Sequence, residues 1–204
     1  MTNRGKFITL EGLDGAGKTT HIEWLADALR RRGKTVLVTR EPGGTPLGER
    51  LRNLILHEPM HADTEALLVF AARQEHLRAL ILPALDAGQW VVCDRFTDAT
   101  MAYQGGGRRI PLARLAILEN WVQGNLQPDL TLFFDVPVAT ALGRLSATQA
   151  RDRFEQEQAA FFERVRGVYY QRLAASPQRM RLVNSDQPLC KVQASLEELV
   201  LPLC

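Results

Sequence analysis

Five short apolar runs recur along the chain and alternate with segments whose apolar residues are spaced as in amphipathic helices. The runs lie at residues 7–10, 35–39, 90–94, 130–136 and 180–184. Apolar runs of this length between helical patterns are typical of parallel strands that are buried on both faces. We therefore predict an α/β fold in which a five-stranded parallel sheet is flanked by helices on both faces. Because neither a linker nor a repeat interrupts the alternation, residues 1–204 are expected to form a single domain.

The sequence between these runs contains signals for several helix ends. A helix over residues 19–32 is predicted to stop at Gly33, since glycine suits a left-handed cap. Asp63 is expected to cap a second, long helix. A third helix is predicted over residues 152–175 from its periodic apolar residues, and the polar stretch 145–151 before it is interpreted as a mobile loop.

Composition places the chain among ordinary globular proteins. Of the 204 residues 46% are hydrophobic and 24% are charged, and the formal net charge is only +2. This balance excludes disordered, collagenous and coiled-coil classes, and it lacks the strongly basic face of a nucleic-acid-binding protein. The sequence has no apolar stretch of roughly 18 residues, so no membrane partner is expected. The three cysteines form no CxxC pair and indicate a reducing compartment, with the cytoplasm as the predicted location.

The first apolar run leads directly into a phosphate-binding motif. Residues 12–19 match the pattern G-x-x-x-x-G-K-[ST], and the motif lies between a predicted strand and a predicted helix. Backbone N–H groups of such a loop bind phosphate oxygens at a helix N-terminus. Lys18 is expected to reach the β and γ phosphates of ATP, and the Thr19 hydroxyl to bind Mg²⁺. The predicted ATP-binding residues are Gly12, Leu13, Asp14, Gly15, Ala16, Gly17, Lys18, Thr19 and Thr20.

The rest of the chain narrows the class of nucleotide-binding protein. A GTPase would need an Asn-Lys-x-Asp base-recognition motif, which the sequence lacks. A DNA-dependent ATPase would need a longer chain and a basic face. A compact kinase of a small acceptor is therefore favoured. Two alternatives stay open: another P-loop kinase of a nucleotide or small metabolite, and a nucleotide-binding protein without turnover.

Charged residues follow several of the predicted strands, at the sheet edge where ligands bind in parallel α/β folds. Asp94 and Arg95 follow the third run; the carboxylate is suited to positioning hydrated Mg²⁺ and the guanidinium to binding a phosphate. A structural ion pair is the alternative for these two residues. For Asp135, a helix cap before Pro137 is the favoured interpretation.

Six segments of the chain form a set of motifs: GLDGAGKTT (12–20), TREPGGTPLGE (39–49), FAARQEH (70–76), DRFTDATMAYQGGGR (94–108), PDLTLFFDV (128–136) and DRFEQE (152–157). Together they resemble bacterial thymidylate kinase. Nearly the whole chain is covered in matching order, and the motifs TREPGGT and AYQGGGR are highly specific. The resemblance implies a P-loop kinase fold, ATP-dependent phosphorylation of dTMP to dTDP, Mg²⁺ dependence and a homodimer.

The resemblance also implies roles for residues that would bind the sugar and phosphate of dTMP. Asp14 matches the carboxylate that holds the 3′-hydroxyl of the acceptor, and Arg95 matches the arginine that binds its phosphate. Arg52 is expected to assist Arg95. Glu41 is expected to belong to the acceptor site, through water or Mg²⁺.

Further residues are implied at the thymine base. Phe70 resembles the ring on which thymine stacks, and Arg73, Thr100 and Gln104 resemble its polar partners. Tyr103 resembles the group that occupies the space of a ribose 2′-hydroxyl and so excludes ribonucleotides. Core packing would be the preferred interpretation of Phe70 without the surrounding motif.

One departure from the family concerns the lid, at about residues 144–153. Members whose P-loop lacks arginine supply one from the lid to stabilise charge on the transferred phosphoryl group. The P-loop here has no arginine, and the middle of the lid is uncharged. Arg151 is therefore the predicted catalytic arginine, with Arg144 and Arg153 as alternatives. By the same resemblance, adenine is expected near residues 184–188.

A second motif is interpreted as a coincidence. Residues 57–61 match H-E-x-x-H, which on a helix would present two zinc ligands and a glutamate. Pro59 would break that helix, so we predict a loop here and no zinc site.

Overall fold

All five predicted strands are present in the computed structural model, which describes residues 4–145 and 152–204. They form one parallel sheet in the order β2-β3-β1-β4-β5, which confirms the predicted fold class. The observed strands differ from the predicted runs only at their ends. Their bounds are β1 Phe7–Gly12, β2 Val36–Arg40, β3 Trp90–Asp94, β4 Leu130–Asp135 and β5 Met180–Asn184.

Helices connect the strands and cover the sheet. Within the described residues, two π-helical stretches interrupt the regular helices: Leu77–Ile81 follows His76, and Met101–Gly107 follows Thr100. A short 3₁₀ turn, Leu201–Leu203, follows the last helix. The helices are α1 Lys18–Arg31, α2 Pro46–His57, α3 Ala62–His76, α4 Leu82–Asp86, α5 Thr97–Thr100, α6 Leu112–Gln123, α7 Val138–Leu145, α8 Ala159–Ala175 and α9 Leu189–Val200.

The central strand is buried on both faces. Every residue of β1 is buried, and successive side chains of a strand point to opposite faces. Phe7 belongs to a core cluster with Leu77 and Ile81, whereas Ile8 belongs to a different cluster that includes Leu25 of α1. Helices therefore lie against both faces of the sheet, and the loops at the carboxyl ends of the strands form the functional edge.

Two predicted helix starts are wrong. Helix α3 begins at Ala62, so Asp63 lies in its first turn, where it pairs with Arg114 at 3.1 Å instead of capping the helix. The helix predicted from residue 152 begins at Ala159. The Asp152 side chain accepts hydrogen bonds from Phe154 N and Glu155 N, at 2.8 and 2.9 Å, and so stabilises a turn in place of the first helical turns. Of the loop predicted at 145–151, residues 146–151 lie outside the described residues.

The H-E-x-x-H segment is not helical beyond its first residue. Helix α2 ends at His57, and Glu58 is extended, with φ −91° and ψ 133°. The loop prediction is confirmed. Across residues 4–145 and 152–204, no helix has both the length and the apolar character needed to cross a membrane.

Candidate active site

The phosphate-binding loop connects β1 to α1, as predicted. Gly12 has φ 139°, and a Cβ there would lie 2.3 Å from the carbonyl oxygen of Phe134. Gly15 has φ 77°, and its Cβ would lie 2.5 Å from the carbonyl oxygen of Ala141. Backbone conformation and space both require glycine at these two positions. The loop backbone can therefore pack against β4 and α7 while it curls around an anion.

Lys18 is held inside this loop. Its side chain is buried, and Nζ donates to the carbonyl oxygens of Gly12 (3.2 Å) and Leu13 (2.8 Å). Burial, together with repulsion by Arg95, lowers the pKa of Lys18 to about 8, although nearby carboxylates oppose the shift. A buried ammonium bound only to neutral carbonyl oxygens will gain from exchanging them for phosphate oxygens.

Asp14, Arg95 and Tyr103 form one hydrogen-bonded group beside the loop. Arg95 Nη2 donates to Asp14 Oδ1 at 2.7 Å and to the Tyr103 hydroxyl at 3.0 Å, and that hydroxyl donates to Asp14 Oδ2 at 2.8 Å. Burial alone would raise the pKa of Asp14, but Arg95 and Lys18 outweigh it and bring the pKa to about 2. Asp14 therefore stays ionised and can accept a hydrogen bond from a ligand.

The backbone at Arg95 is unusual for a residue with a side chain. Arg95 has φ 67°, in the region that favours glycine, directly after β3. This conformation directs its guanidinium across the sheet edge, where Nη1 donates to the Gly12 carbonyl oxygen at 2.8 Å. Arg95 pairs with Asp14 and not with its neighbour Asp94, so the structure does not form the adjacent ion pair considered above.

A buried acid beneath the loop was missed from the sequence. Glu11, the residue before Gly12 in β1, accepts hydrogen bonds from Phe96 N at 2.8 Å and from the Tyr169 hydroxyl at 3.0 Å. Burial and the nearby Asp98 raise the pKa of Glu11 to about 8. Glu11 thus fixes the chain directly after Arg95. The only signal in the sequence is an acid placed inside an apolar run just before the glycine-rich loop.

A cavity opens next to Asp14. Eight of the nine residues predicted to bind the acceptor line it: Asp14, Glu41, Arg52, Arg73, Arg95, Thr100, Tyr103 and Gln104. The ninth, Phe70, is buried, and Arg73 Cζ lies 5.1 Å from its ring centroid. The predicted stacking of a base on Phe70 stays a prediction, and the contact seen here is with the Arg73 guanidinium.

Arg73, which lines this cavity, has one buried donor without a hydrogen-bond partner in the described part of the chain. Its side chain is 1% exposed; Nε donates to Glu41 Oε2 and Nη2 to Thr100 Oγ1, each at 2.7 Å. Nη1 is buried and has no hydrogen-bond partner within the described part of the chain. Glu41 is held from the other side by His76 Nδ1 at 3.1 Å, a contact that the sequence did not indicate. An unpaired buried donor of this kind is suited to a carbonyl oxygen of a ligand.

The donor side is a second cleft, lined by P-loop residues that include Lys18, Thr19 and Thr20. Asp14, Glu41, Arg52 and Arg95 line both the cleft and the cavity, so the two spaces adjoin. Leu13 and Ala16 are buried in the core, which leaves their backbone as the part that can face a phosphate.

Thr19 and Asp94 both line the donor cleft. Asp94 Oδ1 is buried and has no hydrogen-bond partner among residues 4–145 and 152–204. A hydroxyl and a free carboxylate oxygen are the hard ligands that Mg²⁺ prefers, and a nucleotide-bound Mg²⁺ usually keeps several waters and takes few protein ligands. The predicted metal-binding pair therefore fits the ion.

The two candidate lid arginines that the structure describes, Arg144 and Arg153, are separated. Arg144 Nη1 donates to the Gly15 carbonyl oxygen at 3.1 Å, and Arg144 Nη2 donates to the Ser185 carbonyl oxygen at 3.3 Å. It thus lies between the P-loop and the turn predicted to hold adenine. Arg153 lies on the acceptor side, where Nη1 donates to the Ile55 carbonyl oxygen at 2.9 Å. Arg151 lies outside the described residues.

Asp135 serves the packing of α8. Its carboxylate accepts hydrogen bonds from Arg166 Nε at 2.7 Å and from the Tyr170 hydroxyl at 2.6 Å. The favoured interpretation of this residue, a cap of the following helix, is replaced by an ion pair between β4 and α8. Asp135 lines neither the acceptor cavity nor the donor cleft.

Comparison with known proteins identifies the family of this chain. The thymidylate kinase family model matches residues 10–196. The chain is 59% identical to thymidylate kinase of Cupriavidus metallidurans over 98% of this chain and 100% of that one, and 61% identical to thymidylate kinase of Bordetella petrii over 96% and 95%. The crystal structure of Ehrlichia chaffeensis thymidylate kinase superposes with a TM-score of 0.78 at 32% identity, over 97% of this chain and 99% of that one. The chain belongs to the thymidylate kinase family.

Proposed function

We propose that this chain is a phosphotransferase that moves the γ-phosphoryl group of ATP to the phosphate of dTMP and forms dTDP, a step of nucleotide biosynthesis. Family membership supports the reaction, and one structural observation supports the position at which it takes place. The phosphate-binding cleft and the acceptor cavity adjoin at Asp14 and Arg95, which line both. Donor and acceptor phosphates can therefore meet at this pair.

The donor phosphates bind to the P-loop. Its backbone N–H groups and the N-terminus of α1 stabilise the β and γ phosphates, and Lys18 replaces its bonds to Gly12 and Leu13 with bonds to phosphate oxygens. Catalysis then consists of placing the reacting groups in line and neutralising charge. No general base is needed, because the acceptor phosphate oxygen is already ionised at neutral pH.

The acceptor is held at its phosphate and its sugar. Arg95 binds the dTMP phosphate, Arg52, which lines the same cavity, assists it, and ionised Asp14 accepts a hydrogen bond from the 3′-hydroxyl. The Tyr103 ring fills the space beside the sugar and disfavours a 2′-hydroxyl. Glu41 acts mainly by holding Arg73 in place.

The base lies deeper in the cavity. Arg73 Nη1, which is buried without a partner in the described part of the chain, donates to a carbonyl oxygen of thymine. Thr100 orients Arg73 through the bond from Nη2, and Gln104 lines the same wall. Phe70 is proposed as the aromatic surface for the base, as the family resemblance implies.

Mg²⁺ is proposed as the cofactor. Thr19 Oγ and the free oxygen of Asp94 would hold it, directly or through water. When bound, it neutralises charge on the β and γ phosphates. The transition-state arginine is proposed to be Arg151, which lies outside the described residues.

We also propose a cytoplasmic homodimer that binds neither nucleic acid nor membrane. Four apolar side chains of α3 and α6 are exposed to solvent: Leu67 (56%), Leu112 (41%), Ile117 (68%) and Trp121 (81%). An exposed apolar surface of this kind is typical of a protein–protein interface. A second copy of the chain would cover it.

The proposal is tested by ADP release from Mg-ATP in the presence and absence of dTMP, with the nucleotide products separated by chromatography. We expect ADP and dTDP to form in equal amounts only when dTMP is present. ATP binding without turnover would favour the non-catalytic alternative. Hydrolysis that is independent of dTMP would contradict the assigned acceptor.

A further inference from the structure

Another buried acid, in addition to Glu11, lies behind the acceptor cavity. Glu65 of α3 is fully buried, and three side chains from other segments donate to its carboxylate. Gln104 Nε2 donates to Oε1 at 2.9 Å, Arg108 Nε lies 3.2 Å from each oxygen, and Arg153 Nη2 donates to Oε2 at 3.0 Å. Among these partners only Gln104 lines the cavity.

This contact decides which end of the Gln104 amide faces the cavity. A glutamine side chain has a donor end and an acceptor end, whereas a carboxylate between two guanidinium groups only accepts hydrogen bonds. Nε2 of Gln104 must therefore face Glu65. The opposite end, Oε1, has no donor within the described part of the chain, and it is not among the buried unpaired atoms. The cavity wall thus presents a carbonyl oxygen at this position.

Two residues that line the cavity therefore supply one unpaired donor and one unpaired acceptor. Arg73 Nη1 is an unpaired donor and Gln104 Oε1 is an unpaired acceptor, and both residues line one cavity. Thymine and uracil offer the complementary pair, a carbonyl oxygen at position 4 and an N–H at position 3. Cytosine offers the reverse pair, an amino group and an unprotonated ring nitrogen, so that donor faces donor and acceptor faces acceptor.

We propose that Glu65 is a positioning residue that sets base specificity by holding the Gln104 amide in one orientation, so that the cavity accepts a pyrimidine with N–H at position 3 and rejects cytosine. Glu65 does not touch the substrate. This inference rests on the proposed dTMP kinase function and attributes the base specificity of that function to Glu65. Without the fixed carboxylate, the amide could turn over and present its NH₂ group to the base.

Glu65→Gln tests this assignment, because an amide at position 65 can donate to Gln104 Oε1 and release Nε2 toward the cavity. The readout is the ratio of kcat/KM for dTMP to kcat/KM for dCMP. We expect this ratio to fall by about tenfold or more, the effect of one mismatched buried hydrogen bond. Wild-type turnover of dTMP, measured alongside, tests the proposed function separately.

Asp98→Asn is the matched control. Asp98 is also fully buried and held by two arginines, Arg172 and Arg179, but it does not line the acceptor cavity. We expect this variant to lose stability while its dTMP to dCMP ratio stays at the wild-type value. A fall in both variants would mean that any buried carboxylate-to-amide change lowers specificity, and it would overturn the proposal.

A double-mutant comparison separates an effect through Gln104 from a general effect on the pocket. In a Gln104→Ala background the amide is gone, so Glu65→Gln should change the ratio no further. The same fall of the dTMP to dCMP ratio in both backgrounds would contradict the proposal, as would an unchanged ratio in Glu65→Gln alone.

If Glu65→Gln does not fold, Glu65→Asp keeps the charge needed by the two arginines but shortens the reach to Gln104. Its ratio should also fall, and an unchanged ratio would contradict the proposal.

Discussion

The guanidinium of Arg95 lies 2.7 Å from the carboxylate of Asp14, although 81 positions separate the two residues in the chain. Asp14 belongs to the phosphate-binding loop, and Arg95 follows the neighbouring strand β3 with φ 67°. Their pairing joins the donor cleft to the acceptor cavity. It also explains how an acid is tolerated inside a loop that binds phosphate, because Arg95 balances its charge.

Arg95→Lys tests the geometry of this pair. Lysine keeps the positive charge but cannot bond to Gly12, Asp14 and Tyr103 at once, as Arg95 does. We expect kcat/KM for dTMP to fall by about 10² or more, in the range found when one charge-stabilising donor is lost. KM for ATP serves as the internal control and should change little. A wild-type kcat/KM for dTMP in Arg95→Lys would contradict the assignment of Arg95 to the acceptor site.

The lid arginines can be ranked by three single variants. Arg144 and Arg153 are already bound to backbone carbonyl oxygens on opposite sides of the site, which leaves Arg151 as the candidate for the transferred phosphoryl group. We expect Arg151→Ala to lower kcat by about 10² or more and to have the largest effect of the three. Equal kcat in Arg151→Ala and the wild type would discard this assignment, and a larger loss in Arg144→Ala would transfer it to Arg144.

The fold was predictable from the sequence to the extent that its signals are local. Apolar runs and the residues of the P-loop specify strands, a turn and a helix start within a few positions of the chain. The helix predicted from residue 152 failed because apolar periodicity cannot show that Asp152 binds the backbone N–H groups of Phe154 and Glu155. Periodicity reports burial, and Phe154 is indeed buried without being helical.

The candidate site was predictable where the family motifs name its residues, and eight of the nine residues predicted to bind the acceptor line one cavity. Glu11 and Glu65 could not be found in this way. Each is a charged residue inside an apolar strand or helix, and its role depends on partners far away in the chain. The hydroxyl that binds Glu11 belongs to Tyr169, 158 positions away. Only the folded chain brings these groups together.

The pKa of Lys18 predicts a pH dependence for nucleotide binding. The cation binds phosphate, and burial lowers its pKa to about 8, so the free enzyme loses the binding form as pH rises through 8. We expect kcat/KM for ATP, which reports groups of the free enzyme, to be flat below this pH and to fall about tenfold per unit above it. A profile that stays flat to pH 10 would contradict the prediction.

Glu11 also has a pKa raised to about 8, so a control must separate the two groups. In Glu11→Gln the amide does not titrate, and the falling limb should persist because Lys18 still loses its proton. If the limb disappears in this variant, the titrating group is Glu11 and not Lys18.

The Mg²⁺ site is tested by Asp94→Asn. The free carboxylate oxygen of Asp94 would be replaced by a neutral group, so we expect the Mg²⁺ concentration for half-maximal activity to rise by about tenfold or more. Asp135→Asn is the matched control, since Asp135 also ends a strand of the same sheet but pairs with Arg166 outside the cleft. Equal Mg²⁺ requirements in both variants would exclude Asp94 from the site.

The most direct test of the central claim is the rate of Mg-ATP-dependent ADP release with a panel of acceptors: dTMP, dUMP, ribothymidine monophosphate, dCMP, dGMP, AMP and UMP. We expect dTMP to have by far the highest kcat/KM. We also expect the ribose analogue to be rejected at Tyr103 and dCMP to be rejected at Arg73 and Gln104. Preferential turnover of a purine nucleotide, or of dCMP, would contradict the assignment of this cavity to dTMP.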